Sequence, residues 1–483
     1  MQSSGYDLVV LGGGIVGLWT ARVAARAGAR VAVVEVGPKD LSARRDATPP
    51  IRFATRANIG SLRARNHVLT GNSSYWGGGL VRNSRQSLDD LYGPELAVAV
   101  EAEYPRVEAA LGVLDGFDPE ATSIRGRPLQ EVAVLPGKRR GLWANFDEPR
   151  VTCITGSRVT EVRFAAGNTI ECVTVRSYDG TEQQLFAPRF ALSMGVIDSN
   201  LFAQQWLAAA VPERLRGLLG SRLHDHWSVP IGTVTWRGSS MVEPLFPPKF
   251  RAGVVAGRRL TIDRGFFHLV ADLDRTPPYD RVKAVMRARQ QGLGALAVFK
   301  ASASTMASPF RMLRAGVHYL AHHELHISDG TEVGLVLDFE SSNDPANRLV
   351  LSGTEAVLHW DLRDGDRFYF ERVVRENREW WEALWRDAGL EARWLFDEWS
   401  TERIWNYLDQ HATDAYHLGG GLHPDTRIAI GLSEVDGTLR GCSNLFVNGT
   451  AFYCRPGPAN PVLTLLARAS VYVQDIAKGA SPS

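Results

Sequence analysis

The 483-residue sequence predicts an α/β fold that opens on a parallel sheet and carries a second, α+β domain built on an antiparallel sheet. Three observations predict it. First, Tyr6–Leu11 and Val31–Glu35 are short β-rich runs of the kind buried parallel strands show, and Ile15–Ala27 between them has apolar residues at helical spacing. Second, from about 227 to 400 the texture changes to apolar–polar alternation, at Val229–Trp236, Gly334–Phe339 and Arg348–Leu351, mixed with separate helical stretches. Third, the chain is too long for one minimal core and suits two interwoven domains.

The elements follow in order. Tyr6–Leu11 runs into Gly12-Gly13-Gly14-Ile15-Val16-Gly17, and Gly28-Ala29-Arg30 turns the chain into Val31–Glu35, completing a βαβ unit. In such a unit Gly12 permits the tight turn. Gly14 lets the backbone approach a pyrophosphate, and Gly17 lets the helix pack close to the strand. The helix N-terminus then presents its positive dipole end to the phosphates. Glu35 ends the second strand, where an acid accepts hydrogen bonds from ribose hydroxyls and disfavours a 2′-phosphate. This is a Rossmann-type dinucleotide site, and the pattern alone does not separate NAD from FAD. Residues from about 38 to 68 are polar and basic with little periodicity, which suits a long loop over the cofactor. Asp89–Leu111 reads as a helix. Val151–Phe164, Glu171–Val175 and Arg189–Ser193 read as strands, the last ending in Met194-Gly195. Pro461–Ile476 has apolar residues at 462, 465, 466, 469 and 473 and reads as the closing helix. The expected division is a discontinuous nucleotide domain, 1–226 with 405–483, and a substrate domain, 227–404.

Composition narrows the class. A net charge of +1 offers no global electrostatic case for nucleic acid. Cys153, Cys172, Cys442 and Cys454 fall in no metal-like spacing and are too few for a disulfide scaffold, so they read as reduced thiols of a cytoplasmic protein. The first apolar stretch lacks a preceding cationic region and reads as a strand, not a leader. No run of about 18 or more apolar residues is present, so no membrane span is expected.

Several further segments, in this order and spacing, resemble the glucose–methanol–choline (GMC) family of flavin oxidoreductases. Gly71-Asn72-Ser73-Ser74-Tyr75-Trp76-Gly77-Gly78 is similar to the family's loop against the flavin. Ser157-Arg158-Val159 is similar to the strand that meets the adenine, and Ala191–Gly195 to the strand and turn closing the nucleotide domain. His224-Asp225-His226 resembles the Asp-His step out of that domain. The stretch from Glu340 to Leu351 resembles an edge strand and hairpin of the substrate domain. Asn444–Gly449 and Asn460-Pro461 resemble the closing flavin segment. The resemblance implies an FAD cofactor held by Gly12, Gly14, Ile15, Val16, Gly17 and Glu35, by Gly71, Asn72, Ser73, Ser74, Trp76 and Gly77, by Val159 and Gly195, and by Asn448, Gly449, Asn460, Pro461 and Val462. Asn72 stands where a second glycine is common. Tyr75 stands where some sugar-oxidising relatives carry a histidine joined to the flavin, so the resemblance implies noncovalent FAD.

Oxidising an alcohol by hydride transfer requires removal of the hydroxyl proton and a hydrogen-bond donor for the alkoxide charge. A neutral imidazole suits the first task. By resemblance, His417 in Tyr416-His417-Leu418-Gly419-Gly420 is the base and Asn460 donates to the substrate oxygen. Alternatives stand beside this. Asn460 before Pro461 is a good helix N-cap needing no catalytic role, and His417 beside glycines suits a structural turn. His411 and His423 are close enough in sequence to share the pocket, but the three histidines lack a metal-ligand pattern, and no metal is expected. Glu340 reads as structural. Trp380, Trp381, Trp385, Trp394, Trp399 and Trp405 read as the buried faces of a helix and its neighbouring strands.

Residues 281–323 match nothing in that family. They contain Arg281, Lys283, Arg287, Arg289, Lys300, Arg311 and Arg314 with no acid, interleaved with apolar residues. A basic amphipathic segment lies on an anionic membrane or grips an anionic substrate; a lid or an oligomer contact is the plainer reading. The sequence thus predicts an FAD-dependent enzyme oxidising the CH–OH of a sugar, glycoside, polyol or lipid-linked alcohol, passing electrons to O2 or a redox partner. The alternative is a lyase or isomerase using His417 as acid and base on the same scaffold.

Overall fold

A computed structural model describes residues 5–40, 49–58, 60–61, 65–74, 76–113, 122–135, 146–238, 241–251, 254–272, 309–396, 398–424, 430–457 and 460–479. Its first core is a six-stranded sheet in the order Thr438–Leu439, Cys442–Val447, Phe190–Leu192, Leu8–Leu11, Val31–Val34, Val151–Ile154. All neighbours are parallel except the Thr438–Leu439 edge. Leu8–Leu11 and Val31–Val34 are buried at every position, as strands covered on both faces must be. The helix Ile15–Arg26 follows the glycine loop and packs against the closing helix Pro461–Gly479, where the Trp19 indole donates to Ser470 Oγ at 2.9 Å. Residues more than four hundred positions apart therefore share one core.

The substrate side is a ten-stranded sheet. Its main path runs Glu391–Trp394, His226–Thr235, Glu332–Glu340, Gly265–Ala271, Val254–Ile262, Arg127–Val134, Gly79–Leu80, with antiparallel neighbours. Gly79–Leu80, Thr122–Ile124 and Arg127–Val134 come from the stretch that the sequence assigns to the nucleotide domain, so the chain crosses the expected boundary early. The helix Asp364–Asp387 covers this sheet and buries Phe370, Val374 and Trp381. Phe370 and Trp381 meet Phe339 and Phe267 with ring centroids 5.8 and 5.7 Å apart.

Three elements differ from the sequence reading. The run Asp89–Leu111 belongs to two helices, Arg85–Tyr92 and Pro94–Leu111, because Gly93 takes φ +76° and Pro94 restarts the helix at a position needing no N–H. Val151–Phe164 is two strands in different sheets, Val151–Ile154 and Ser157–Phe164, divided at Gly156 with φ +65°. The stretch 38–68 is not all loop: Ile51–Phe53 pairs with Ala356–Leu358 of the hairpin beyond the substrate sheet.

Candidate active site

The glycine loop is built by contacts that admit no side chain. Gly12 has φ +107°, and a Cβ there would lie 2.4 Å from the Ser193 carbonyl oxygen. A Cβ on Gly17 would lie 2.1 Å from the Gly12 oxygen. Gly14 differs: its Cβ would meet nothing nearer than 3.9 Å, so the space before it is open. The helix Ile15–Arg26 starts there with no side-chain cap and no acid in its first turn. Its first N–H groups, including those of Ile15 and Val16, and its positive dipole end suit an anionic phosphate.

Glu35 is buried beside this loop. Its two oxygens accept the N–H groups of Gly13 at 2.8 Å and Gly37 at 2.7 Å, and a carboxylate's remaining lone pairs can still accept hydroxyls. Burial pushes its carboxyl up to about 7, against the pull of those two N–H groups and of His67. Val159 lies on Ser157–Phe164, whose first residue donates its N–H to the Glu35 carbonyl at 3.1 Å. Gly195 opens the helix Gly195–Phe202 with φ +73° and open space where a Cβ would be. Gly71–Ser74 forms a tight turn directly over the glycine loop, with Thr70 N donating to Gly13 O at 2.8 Å. Ser73 Oγ donates to Thr70 O at 2.7 Å and Ser74 Oγ contacts Thr70 Oγ1. Asn72 uses its side-chain oxygen to hold Asn66, at 3.0 and 3.1 Å. Trp76 is partly buried against the core, and Gly77 and Gly449 face open space. Tyr75 lies outside the described residues. Asn448 is fully buried and its amide nitrogen donates to Thr20 Oγ1 at 2.7 Å, tying the helix after the glycine loop to the closing strand. Pro461 and Val462 begin the closing helix.

The other half of the site forms where three chain segments converge. Asp225 precedes the strand His226–Thr235, and its Oδ1 accepts the N–H of His226 at 2.7 Å and of His417 at 2.9 Å. One buried carboxyl thereby fixes both backbones. Burial and neighbouring Asp414 push it up to about 8, so it is mostly neutral at pH 7. Tyr416 turns the chain into His417 with φ +65°, a conformation that is uncommon outside glycine and concentrates at functional sites.

The two imidazoles meet edge to face, with ring centroids 5.2 Å apart. Their protonation follows from their partners. His226 Nε2 lies 2.7 Å from the Gly457 carbonyl, which can only accept, so Nε2 carries the hydrogen. Burial pulls the His226 pKa down to about 3, so the ring is neutral and its Nδ1 is an acceptor. His417 Nδ1, 3.2 Å away, must then be the donor. Burial holds His417 down to about 4, so its Nε2 keeps a lone pair. That nitrogen lies 3.2 Å from Asn460 Nδ2, an amide nitrogen that can only donate. A single hydrogen-bond direction therefore runs from Asn460 through His417 and His226 to Gly457. It presents an unprotonated imidazole nitrogen beside an amide donor, with Gly79 alongside: a Cβ there would lie 3.2 Å from Asn460 Nδ2.

The structure brings together His417 and Asn460, two of the residues singled out in the sequence. It takes His411 elsewhere, onto the Tyr407 ring at 4.2 Å, and His423 onto the Pro424 carbonyl at 2.8 Å. Glu340 is buried opposite His226 on the next strand, with Arg455 Nε at 3.9 Å. Among the described residues one group, Asp225, His226 and His417, has ligand-type atoms within 4.8 Å of one another. The two imidazoles are engaged in the hydrogen-bond chain just described, and Asp225 Oδ1 accepts their two backbone N–H groups. Sequence reasoning noticed His226 only as part of a step between domains. Its partners are at 417 and 457, so no local spacing marks its role.

Residues 7–58 match a family model described as FAD dependent oxidoreductase. No curated protein matches the sequence. Solved structures match along nearly the whole chain. A pyridoxine 4-oxidase from Mesorbium loti is 15% identical over 97% of this chain and 98% of its own, with a TM-score of 0.57. A variant of formate oxidase from Aspergillus oryzae is 15% identical over 99% of both chains, with a TM-score of 0.59. An FAD-dependent oxidoreductase from Chaetomium thermophilum is 14% identical over 98% of this chain and 99% of its own, with a TM-score of 0.56. At such identity the likeness is one of fold. That fold is a Rossmann-type nucleotide domain joined to a substrate domain on an antiparallel sheet, with a nucleotide segment like that of the FAD-dependent oxidoreductases at its start.

Proposed function

We propose that this chain is an FAD-dependent oxidoreductase that oxidises the CH–OH group of a small alcohol, with His417 as base and Asn460 as the donor to the reacting oxygen. The observation that carries the reading is the lone pair on His417 Nε2, held 3.2 Å from the Asn460 amide nitrogen. The donor set around the glycine loop fits a dinucleotide. Gly14, Gly77, Gly195 and Gly449 leave open space, an uncapped helix faces that space, and Glu35 retains acceptor capacity beside it. The residues that would hold FAD are Gly12, Gly14, Ile15, Val16, Gly17, Glu35, Gly71–Ser74 with Trp76 and Gly77, Val159, Gly195, Asn448, Gly449, Asn460, Pro461 and Val462. When bound, FAD supplies the hydride acceptor.

The chain's own residues do the rest. Substrate displaces the Asn460 N–H from His417 Nε2, and Asn460 then donates to the substrate hydroxyl oxygen and orients it. His417 Nε2 accepts the hydroxyl proton while its Nδ1–H stays on His226. The resulting imidazolium and the Asn460 amide meet the negative charge as it develops, in a site where burial strengthens both. The closing helix, beginning at Pro461 with no acid in its first turn, puts a positive dipole end at the same place.

The substrate class we favour is a sugar, glycoside or polyol, with O2 or a redox partner as electron acceptor and FAD held noncovalently. The pyridoxine 4-oxidase and formate oxidase that share the fold are named for small soluble donors, which supports a small-molecule substrate. The test is anaerobic flavin reduction against a panel of sugars, glycosides and alcohols. Bleaching by one of them, lost in His417→Ala while FAD stays bound, is the expected result. Product formed with no flavin bleaching would replace this reading with the lyase or isomerase chemistry of the same scaffold.

A further inference from the structure

The helix Pro309–His322 is an element that the redox chemistry does not use. Its sequence contains Arg311, Arg314, His318 and His322 and no acid. It is attached to the substrate side on one flank, where Tyr319 meets Phe250 edge to face at 5.1 Å and the Phe250 N–H donates to the His323 carbonyl at 2.6 Å. Another flank is bare. Phe310, Leu313, Val317 and Leu320 are 84%, 64%, 58% and 75% exposed. At about 100° per residue these four fall within an arc of about 80°, with Arg314 about 40° beyond one edge and His318 and His322 further round the helix. Scattered exposed apolar residues need no explanation, but a continuous stripe on a helix does.

We propose that this stripe lies in the interface of an anionic lipid bilayer. An apolar face with a cation, Arg314, at its margin is an arrangement that inserts at the boundary between headgroups and acyl chains. Charge decides against a second copy as occupant. A twofold pairing through this stripe would bring the two copies of Arg314 together with no acid on the helix to meet them, whereas anionic headgroups supply the missing charge. The proposal does not rest on the redox reading.

The experiment uses the full chain and sedimentation with phosphatidylcholine vesicles, with and without about a third phosphatidylglycerol. The wild type is expected to bind the anionic vesicles at low salt and to release in about 1 M salt, where the Debye length falls to about 3 Å. The triple variant Phe310→Ser, Leu313→Ser, Leu320→Ser changes exposed positions only. It should bind at least about tenfold more weakly, with an unchanged melting temperature. Arg314→Gln should weaken binding to the anionic vesicles severalfold. Wild type that ignores anionic vesicles at low salt, or a triple variant that binds as well as wild type, overturns the proposal. So does a wild-type dimer that the triple variant converts to monomer without any vesicle binding, since the occupant is then a second copy.

Discussion

Replacing His226 with alanine probes the direction of the proton chain. His226 Nδ1 is the acceptor for His417 Nδ1–H at 3.2 Å, and without it that hydrogen sits in a buried position with no partner. An unsatisfied buried donor costs about 1–3 kcal/mol, and it falls on the tautomer whose Nε2 is unprotonated. The imidazole then shifts its hydrogen toward Nε2, and the fraction able to act as base drops by about fivefold to about 150-fold. The assay is stopped-flow flavin reduction by substrate under anaerobic conditions, read as a limiting rate and an apparent substrate Kd. The limiting rate should fall over that range while the Kd stays within about twofold, because Asn460 and the cofactor pocket are untouched. His226→Asn, which can again offer a carbonyl oxygen as acceptor, should recover part of the loss, whereas a purely structural defect would not respond to that chemistry. A limiting rate equal to wild type in His226→Ala, with FAD bound normally, would refute the tautomer argument.

Other outcomes follow from the same geometry. His417→Ala should slow flavin reduction by about two orders of magnitude or more, the scale of losing a general base, and Asn460→Ala should slow it less; equal losses would show that the two share one role. Gly14→Ala should fold with a normal melting temperature, since its Cβ meets nothing nearer than 3.9 Å, yet retain much less FAD on purification; full FAD occupancy would remove the phosphate from that space. Because His417 is held neutral down to about 4, kcat/KM should stay flat as pH falls past 6.5 and drop only near pH 4, where protonation removes the base; a break near 6.5 would mean the ring is not desolvated. Rate is the readout to use, since Asp225 and Glu35, raised to about 8 and about 7, contribute to stability with the opposite sign to the depressed histidines. Denaturation should release free FAD, and flavin remaining on the polypeptide would refute noncovalent binding.

What could be read from the sequence was what is local and periodic. Leu8–Leu11, Ile15–Arg26 and Val31–Val34 stand within a residue or two of their expected ends, because a buried strand and an amphipathic helix each leave a pattern in their own residues. The breaks at Gly93 and Gly156 escaped because apolar residues continue on both sides of each. What changes is the partner, a different helix axis or a different sheet, and that is set by tertiary packing. Ile51–Phe53 is three residues long and is a strand only because Ala356–Leu358 lies beside it. The pairing of His417 with Asn460 was accessible through resemblance. The tautomer was not, since it depends on a carbonyl at 457 and a ring at 226 that only the fold brings within hydrogen-bond range.

The interleaving of the two ends of the chain has a consequence for biosynthesis. Phe190–Leu192 gains its outer neighbour only when Cys442–Val447 is present, and the Asn448 amide that ties down Thr20 arrives with it. A nascent chain emerging from the ribosome at about 5–20 residues per second would hold an unfinished nucleotide sheet for tens of seconds, with an apolar edge uncovered. Cofactor loading should therefore come after translation has nearly finished. Premature termination anywhere before the closing helix should yield a colourless, aggregation-prone product in place of a smaller flavoprotein. A chaperone that shields the sheet edge during that interval would raise the yield of loaded protein more than added riboflavin would.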